Sequence, residues 1–365
     1  MNKEKILKKL AIQGGDPIRT KPFPTTKDSS GRCLGEEEIT LLKEVINSGS
    51  LNRNNGNKVK QFEKEFSRKM NGEYVVACSS GTAALHTAVA AINVSPGDEI
   101  ITSPITDMGT IIAILRQNAI PIFADTHPRS GNLDPESLET KITKRTKAVI
   151  PVHLFGQPCN MEPIIDIAKE NNFYIIEDCA QAYLAEYEGK KVGTIGNIGC
   201  FSLQQSKQIT TGDGGIIITK KKELADRSRL FTDKCYPRQS GDKGIPFLGL
   251  NYRMTELQGA VALGQLKKIE NIVSRRRKTA NLLSNMLKEI KGISPMQKAE
   301  NTKSSYWAYS FMIDEDELGV KTEKFIKGLN AEGIPFRVGY RGGPIRGLER
   351  APLILEWEVL KKKRT

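Results

Sequence analysis

The sequence predicts an α/β architecture, a mostly parallel sheet flanked by helices, followed by a smaller α+β region. Three observations carry this. From about residue 36 to residue 220, short apolar runs rich in Val and Ile alternate with amphipathic segments. After Asn251 the pattern changes to one long stretch with apolar residues at spacings of three and four. Finally, 365 residues, 38% of them hydrophobic, are enough for two domains.

The elements follow in order. "EEEITLLKEVINSG" reads as a helix stopped by Gly49. "YVVACSS" is a strand, "GTAALHTAVAAINV" a helix, and "PGDEIITSP" a turn into a strand. "GTIIAILRQNA" is helical and "IPIFAD" extended. "KAVIPVHLFG" is a strand, "MEPIIDIAKENN" a helix, and "FYIIED" a further strand. "GCFSL" and "GIIIT" are strands on either side of a polar loop. "MTELQGAVALGQLKKIENIVSRRRKTANLLSNMLKEI" is a long helix, "SYWAYSFMI" a strand, and "KTEKFIKGLNAEG" a helix before "IPFRVGY". The expected organisation is an N-terminal segment over 1–35, a large α/β domain over 36–255 and a small α+β domain over 256–365.

Composition narrows the function classes. No apolar run is long enough to span a bilayer. The basic start "MNKEKILKKLAIQGG" lacks the apolar core of an export signal, so the cytoplasm is the expected location. The six cysteines have no CxxC spacing and there are only three histidines, so neither a disulfide framework nor a metal site is expected. Cys179 and Cys200 lie in apolar runs and read as small buried thiols. The net charge of +13 gathers at Lys220–Lys222, Arg275–Lys278 and Lys361–Arg364. These clusters are short and lack interleaved aromatics, so they read as solvated faces rather than a nucleic-acid surface. A basic surface also favours an anionic substrate.

In an open α/β sheet, ligands bind beyond the carboxyl ends of the strands. Those ends carry Ser79–Thr82, Thr106, Asp125, His153 and Asp178. In "SSGTAAL", small residues end a strand and start a helix, which suits a phosphate or only a helix cap. The stretch lacks the lysine of a P-loop and the glycine spacing of a dinucleotide fingerprint. In "FYIIEDCAQA", Asp178 could orient a base, bind a ribose, pair with a protonated ring nitrogen or cap a helix. Gln181 could reach the same ligand. In "SLQQSKQITTGDGG", Lys207 stands in a loop with only one other charge, Asp213. A lone lysine is ordinarily a solvated one, but a lysine with a lowered pKa forms Schiff bases. Together the three stretches match pyridoxal phosphate: a phosphate, a ring nitrogen to be held protonated and an aldehyde that takes a lysine.

At this point the sequence resembles the nucleotide-sugar aminotransferases of the DegT/DnrJ type, which are fold-type I pyridoxal-phosphate enzymes. The resemblance lies in "SSGTAALHTAV", "PVHLFGQPCNM", "IIEDCAQAYLAEYEGKKVGTIGNIGCFSLQQSKQITTGDGGIIIT" and "GLNYRMTELQGAVALGQL". The start "LAIQGGDPIRTKPFP" is similar to a subset acting on cyclitol or aminobenzoate precursors. The resemblance implies pyridoxal 5'-phosphate as cofactor and Lys207 as the catalytic residue, bonded to its aldehyde and later moving protons. Asp178 would pair with the ring nitrogen and Gln181 would lie near the ring's phenolic oxygen. Gly81, Thr82 and Ser202 would hold the phosphate. Asn251 would reach the phosphate of a neighbouring subunit, implying a homodimer with shared active sites, while Arg253 would form a structural ion pair. The amino donor would be glutamate or glutamine and the acceptor a keto-sugar or cyclic ketone.

Three departures stand out. Asp107, in "TDMGT", occupies the place of an aromatic residue that stacks on the ring in many relatives. Met108 or a rearranged loop would then have to cover the ring. Asp213 replaces a glutamate. The chain ends at "EWEVLKKKRT", where relatives continue through more of the small domain, implying a truncated one. Two other readings share the scaffold. Sugar dehydratases of this type carry histidine in place of the lysine, so Lys207 favours amino transfer. A non-catalytic regulator would fail to retain the cofactor.

Overall fold

The computed structural model describes residues 9–238 and 244–340. The basic cluster Lys361–Arg364 and the expectation of a truncated C-terminus lie outside these residues.

Among the described residues, nine strands precede the long helix: β1 (Tyr74–Cys78), β2 (Glu99–Thr102), β3 (Ile120–Phe123), β4 (Thr146–Ile150), β5 (Tyr174–Asp178), β6 (Glu186–Tyr187), β7 (Lys190–Lys191), β8 (Ile198–Ser202) and β9 (Gly215–Thr219). Seven of them form one sheet in the order β1-β9-β8-β5-β4-β2-β3. Only β9 runs against its neighbours; the remaining pairs are parallel. This is the α/β sheet expected, with one antiparallel strand. Helix α1 (Glu36–Ser48) precedes the sheet, crossovers use α3 (Gly81–Ala91), α4 (Met108–Leu115), α5 (Pro135–Thr140) and α6 (Met161–Glu170), and α7 (Lys222–Thr232) follows β9.

Alternation sets the two faces. Ile216 and Ile218 pack with α2 (Lys58–Met70) and α8 (Glu256–Leu287) through Phe62, Phe66, Leu266 and Ile269. Ile217, between them, turns to the opposite face and meets Ala84, Ala88 and Val89 of α3. Small residues make α3 fit closely under the sheet, and they leave its N-terminus at the carboxyl end of β1.

Helix α2 has no side-chain cap of its own. Its free N–H groups at Lys58 and Val59 donate instead to the buried carboxylate of Glu256, the first residue of α8, at 2.5 and 3.2 Å. A carboxylate at a helix N-terminus is favoured by the dipole as well as by the hydrogen bonds.

The structure corrects two expectations. Part of Arg275–Lys278 is not a solvated face. Arg276 donates to the carbonyls of Tyr306 and Trp307, and Arg277 to those of Ser304 and Leu184. Burial lowers both guanidinium pKa values, and the carbonyls replace the lost water. "SYWAYSFMI" is mostly not a strand. Only Phe311–Ile313 is extended, pairing with Ile293–Pro295. Residues 304–308 form an irregular strap instead, held by the two arginines and by Ser305 N–H on the Gly156 carbonyl.

Candidate active site

A cavity of about 430 Å³ opens at the carboxyl ends of β1, β5 and β8. Gly81, Thr82, Asp178, Ser202 and Lys207 all line it, brought together from three separate stretches of the chain.

One wall is the start of α3. Ser80 Oγ accepts the N–H of Ala83 at 3.0 Å, so the capping reading is correct for that group. The N–H groups of Gly81 and Thr82 remain, and with the helix dipole they can take an anion. The turn is close-packed. A Cβ built on Gly81 would lie 2.7 Å from Ser202 Cβ, and one on Gly109 would lie 2.7 Å from Thr82 Oγ1.

Asp178 ends β5 and is buried. Thr110 Oγ1 donates to its Oδ2 at 2.8 Å, and Ala180 N–H to its Oδ1 at 3.1 Å. Thr106 supports Thr110 through a 2.8 Å hydroxyl contact. Burial raises the Asp178 pKa above the ordinary carboxylate range. The two hydrogen bonds and the Lys207 ammonium oppose that rise, and the Asp107 carboxylate adds to it. A cation placed against this buried carboxylate relieves the cost of its charge.

Behind Asp178 sits a satisfied polar knot. Glu177 accepts N–H groups from Gly193, Ile195 and Gly196 at 2.7 to 2.9 Å. It is also 3.1 Å from His153 Nε2. The Cys159 N–H donates to His153 Nδ1, so the ring proton belongs on Nε2, facing the carboxylate. His153, Glu177 and Cys179 have metal-like proximity, but the carboxylate is fully engaged in holding the 193–196 turn.

Two expected site residues lie off the cavity. Gln181 is buried beside it, accepting from Phe155 N–H at 2.7 Å and donating to the Tyr340 hydroxyl at 3.0 Å. Asn251 is exposed, its backbone paired with Asp233, and does not line the cavity of its own chain. Arg253 forms an ion pair with Asp233.

Asp107 caps α4, its Oδ1 accepting from Gly109 N–H at 2.9 Å. Met108 is not among the lining residues. Trp307, Arg337 and Tyr340 are, all from beyond α8. Sequence reasoning missed these three. The one available signal was the tryptophan in "SYWAYSFMI", one of only two in the chain.

The family model for the DegT/DnrJ/EryC1/StrS aminotransferases matches residues 32–349. The chain belongs to that family. It is 33% identical over 338 residues to a putative L-glutamine:3-amino-2,3-dideoxy-scyllo-inosose aminotransferase of Streptoalloteichus tenebrarius, covering 90% of this chain and 79% of the relative. It is 36% identical over 287 residues to a GDP-perosamine synthase of Caulobacter vibrioides, covering 77% of this chain and 76% of the relative. The solved structure of 3-amino-5-hydroxybenzoic acid synthase superposes with a TM-score of 0.82 at 25% identity, over 94% of this chain and 86% of that one. As a DegT/DnrJ/EryC1/StrS aminotransferase, the chain uses pyridoxal 5'-phosphate. The cavity fits that group. The open helix N-terminus suits the phosphate, the buried Asp178 suits a cationic ring nitrogen, and Lys207 lines the same cavity.

No helix among the described residues is long and apolar enough to cross a membrane.

Proposed function

We propose that this aminotransferase moves an amino group from glutamate or glutamine to a keto-sugar or cyclic ketone. The observation that carries this reading is the convergence of Gly81, Asp178 and Lys207 on one cavity. Bound pyridoxal phosphate supplies an aldehyde for the amine and an electron-withdrawing ring.

The chain's own groups do the rest. The Gly81 and Thr82 N–H groups and the Ser202 hydroxyl fix the phosphate. Thr110 and Ala180 orient the Asp178 carboxylate, which holds a proton on the ring nitrogen. Lys207 Nζ would be the base that takes the proton from the donor's α-carbon and, as the ammonium, the acid that gives it back. Gln181, tied to Tyr340, orients the wall beside the ring. Asn251 completes a partner's phosphate site, so the working unit is a homodimer, and the enzyme acts in the cytoplasm. Its relatives' names span cyclitols and a nucleotide sugar, and the basic surface favours the anionic nucleotide-sugar class.

The test is spectroscopic. Purified protein supplied with cofactor is expected to show a visible absorption band that glutamate or glutamine bleaches and a keto-sugar or inosose restores. A Lys207→Ala chain with the same band and the same response would refute the assignment.

A further inference from the structure

We propose that Trp307 is the resting platform of Lys207: the indole face holds the ε-ammonium whenever the lysine is not covalently engaged. The inference rests on the proposed role of Lys207 and adds a positioning residue from the other side of the chain.

The geometry has three parts. First, Lys207 Nζ lies 4.9 Å from the centroid of the Trp307 ring, within the range of a cation–π contact. Second, the indole cannot drift. Its Nε1–H donates to the Ser206 carbonyl at 2.9 Å, and its own carbonyl accepts from Arg276 at 3.1 Å. Third, the lysine loop is pinned at three successive carbonyls. Arg32 donates to those of Gln205 and Lys207, while Trp307 takes that of Ser206. The loop is further tied to the N-terminal segment by Gln205 Nε2 on the Thr26 carbonyl at 2.9 Å. With its backbone held from both sides, the lysine reaches its targets by side-chain rotation alone. A lysine displaced by the donor amine needs a place close by that favours its charge, and the ring face supplies one beside the carboxylates of the cavity.

Other charges face the same space. Asp107, Asp178, Asp213 and Arg337 line the cavity. Arg32 sits at the lysine's backbone, and Arg276 holds the strap that carries Trp307. These stay constant when only the ring is changed.

The experiment measures the pH dependence of Lys207 labelling by trinitrobenzenesulfonate in full-length, cofactor-free protein, with the labelled peptide quantified by mass spectrometry. Only the neutral amine reacts. Access to the amine alters the plateau rate, whereas charge stabilisation alters the midpoint pH. Trp307→Leu is expected to lower the midpoint by about half a unit, raising the rate below it about 2- to 5-fold. Trp307→Tyr and Trp307→Phe retain a ring and are expected to fall between, in the order Trp, Tyr, Phe. That order can be read even if the leucine variant does not fold. Equal midpoints in all chains, or a phenylalanine variant displaced as far as leucine, would overturn the proposal. If the protein binds no cofactor, the aminotransferase reading of the cavity fails while the midpoints still report the contact. If it binds cofactor normally and the midpoints coincide, this inference fails alone.

Discussion

Gly81→Ala tests the cradle at its tightest point. The new Cβ would stand 2.7 Å from Ser202 Cβ, 2.9 Å from Ser202 Oγ and 3.3 Å from Ser202 Cα. Carbon atoms in contact prefer about 3.5–4.0 Å, so the pair must part by about 1 Å. Ser202 has little room to yield. It is buried at the end of β8, paired with Gly215, and its carbonyl accepts the Tyr183 hydroxyl at 2.9 Å. Gly81 is not at positive φ, so the methyl group also brings a gain of about 0.4–1 kcal/mol through the unfolded chain. Overpacking costs about 1–3 kcal/mol, leaving a net loss of up to about 2.5 kcal/mol. In a chain of this length that lowers the unfolding midpoint by up to about 3 °C. The larger effect falls on the cofactor. Displacing one donor to a charged phosphate costs about 1.5–3 kcal/mol, or about 10- to 100-fold in its dissociation constant. Thermal unfolding of the cofactor-free chain and absorbance titration of the cofactor read the two effects separately. The double variant Gly81→Ala/Ser202→Gly removes the two nearest atoms struck, and with them the hydroxyl proposed to hold the phosphate, so stability is expected to recover in part while affinity does not. A Gly81→Ala chain with unchanged melting and unchanged cofactor affinity would show that the close approach is not part of a phosphate site.

Three further outcomes are expected. Asp178→Asn should leave the cofactor-free chain no less stable at neutral pH but abolish the thermal stabilisation that the cofactor confers. The folded pKa of Asp178 is raised by burial, so its charge penalises folding above that pKa, and the penalty is relieved as pH falls toward the unfolded value; melting curves with and without cofactor check this. His86 lies against Phe231 and Tyr252, and burial, aided by the Arg116 charge, lowers its pKa to about 4. Its contribution is fully present above pH 6.5 and lost as pH falls through the folded value, up to about 3 kcal/mol, and His86→Gln should flatten that limb of a denaturant-stability profile. Among the thiols, Cys33 alone is exposed, while burial pushes Cys78 and Cys179 up to about 12. One thiol should therefore react quickly with a disulfide reagent at pH 8, and the other five only on unfolding.

What could be read from the sequence and what could not divide along a physical line. Gly81, Asp178 and Lys207 were legible because each follows or precedes an apolar run, and strand ends in a parallel sheet point toward one edge. Their chemical types then had to satisfy a single ligand. Helix α2 was not legible, because its cap is Glu256, 198 positions from Lys58. Likewise "SYWAYSFMI" has the composition of a strand, but the partners of residues 304–308 are arginines and carbonyls of distant elements rather than a neighbouring strand. Periodicity reports which face a residue turns to the core. It carries no record of which remote group will satisfy its backbone.

Asp107 shows how the two kinds of information combine. The residue breaks the expected pattern, and by itself that break reads as a damaged wall of the cofactor site. In the folded chain its carboxylate caps α4, two positions before the close approach of Gly109 to Thr82. Adding an aromatic side chain at 107 would remove that cap, worth about 1 kcal/mol, at the helix whose Thr110 orients Asp178. The aromatic surface of the cavity comes instead from Tyr340 and from Trp307, the latter 100 residues beyond Lys207 and fixed to its loop by the indole N–H. Asp107 and Trp307 line the same cavity, the first without a ring and the second with one. Asp107→Tyr should therefore narrow the range of keto-acceptors more than it alters cofactor affinity, measured by acceptor competition against the aminated enzyme. Equal acceptor preference in both chains would place Asp107 outside the substrate's reach.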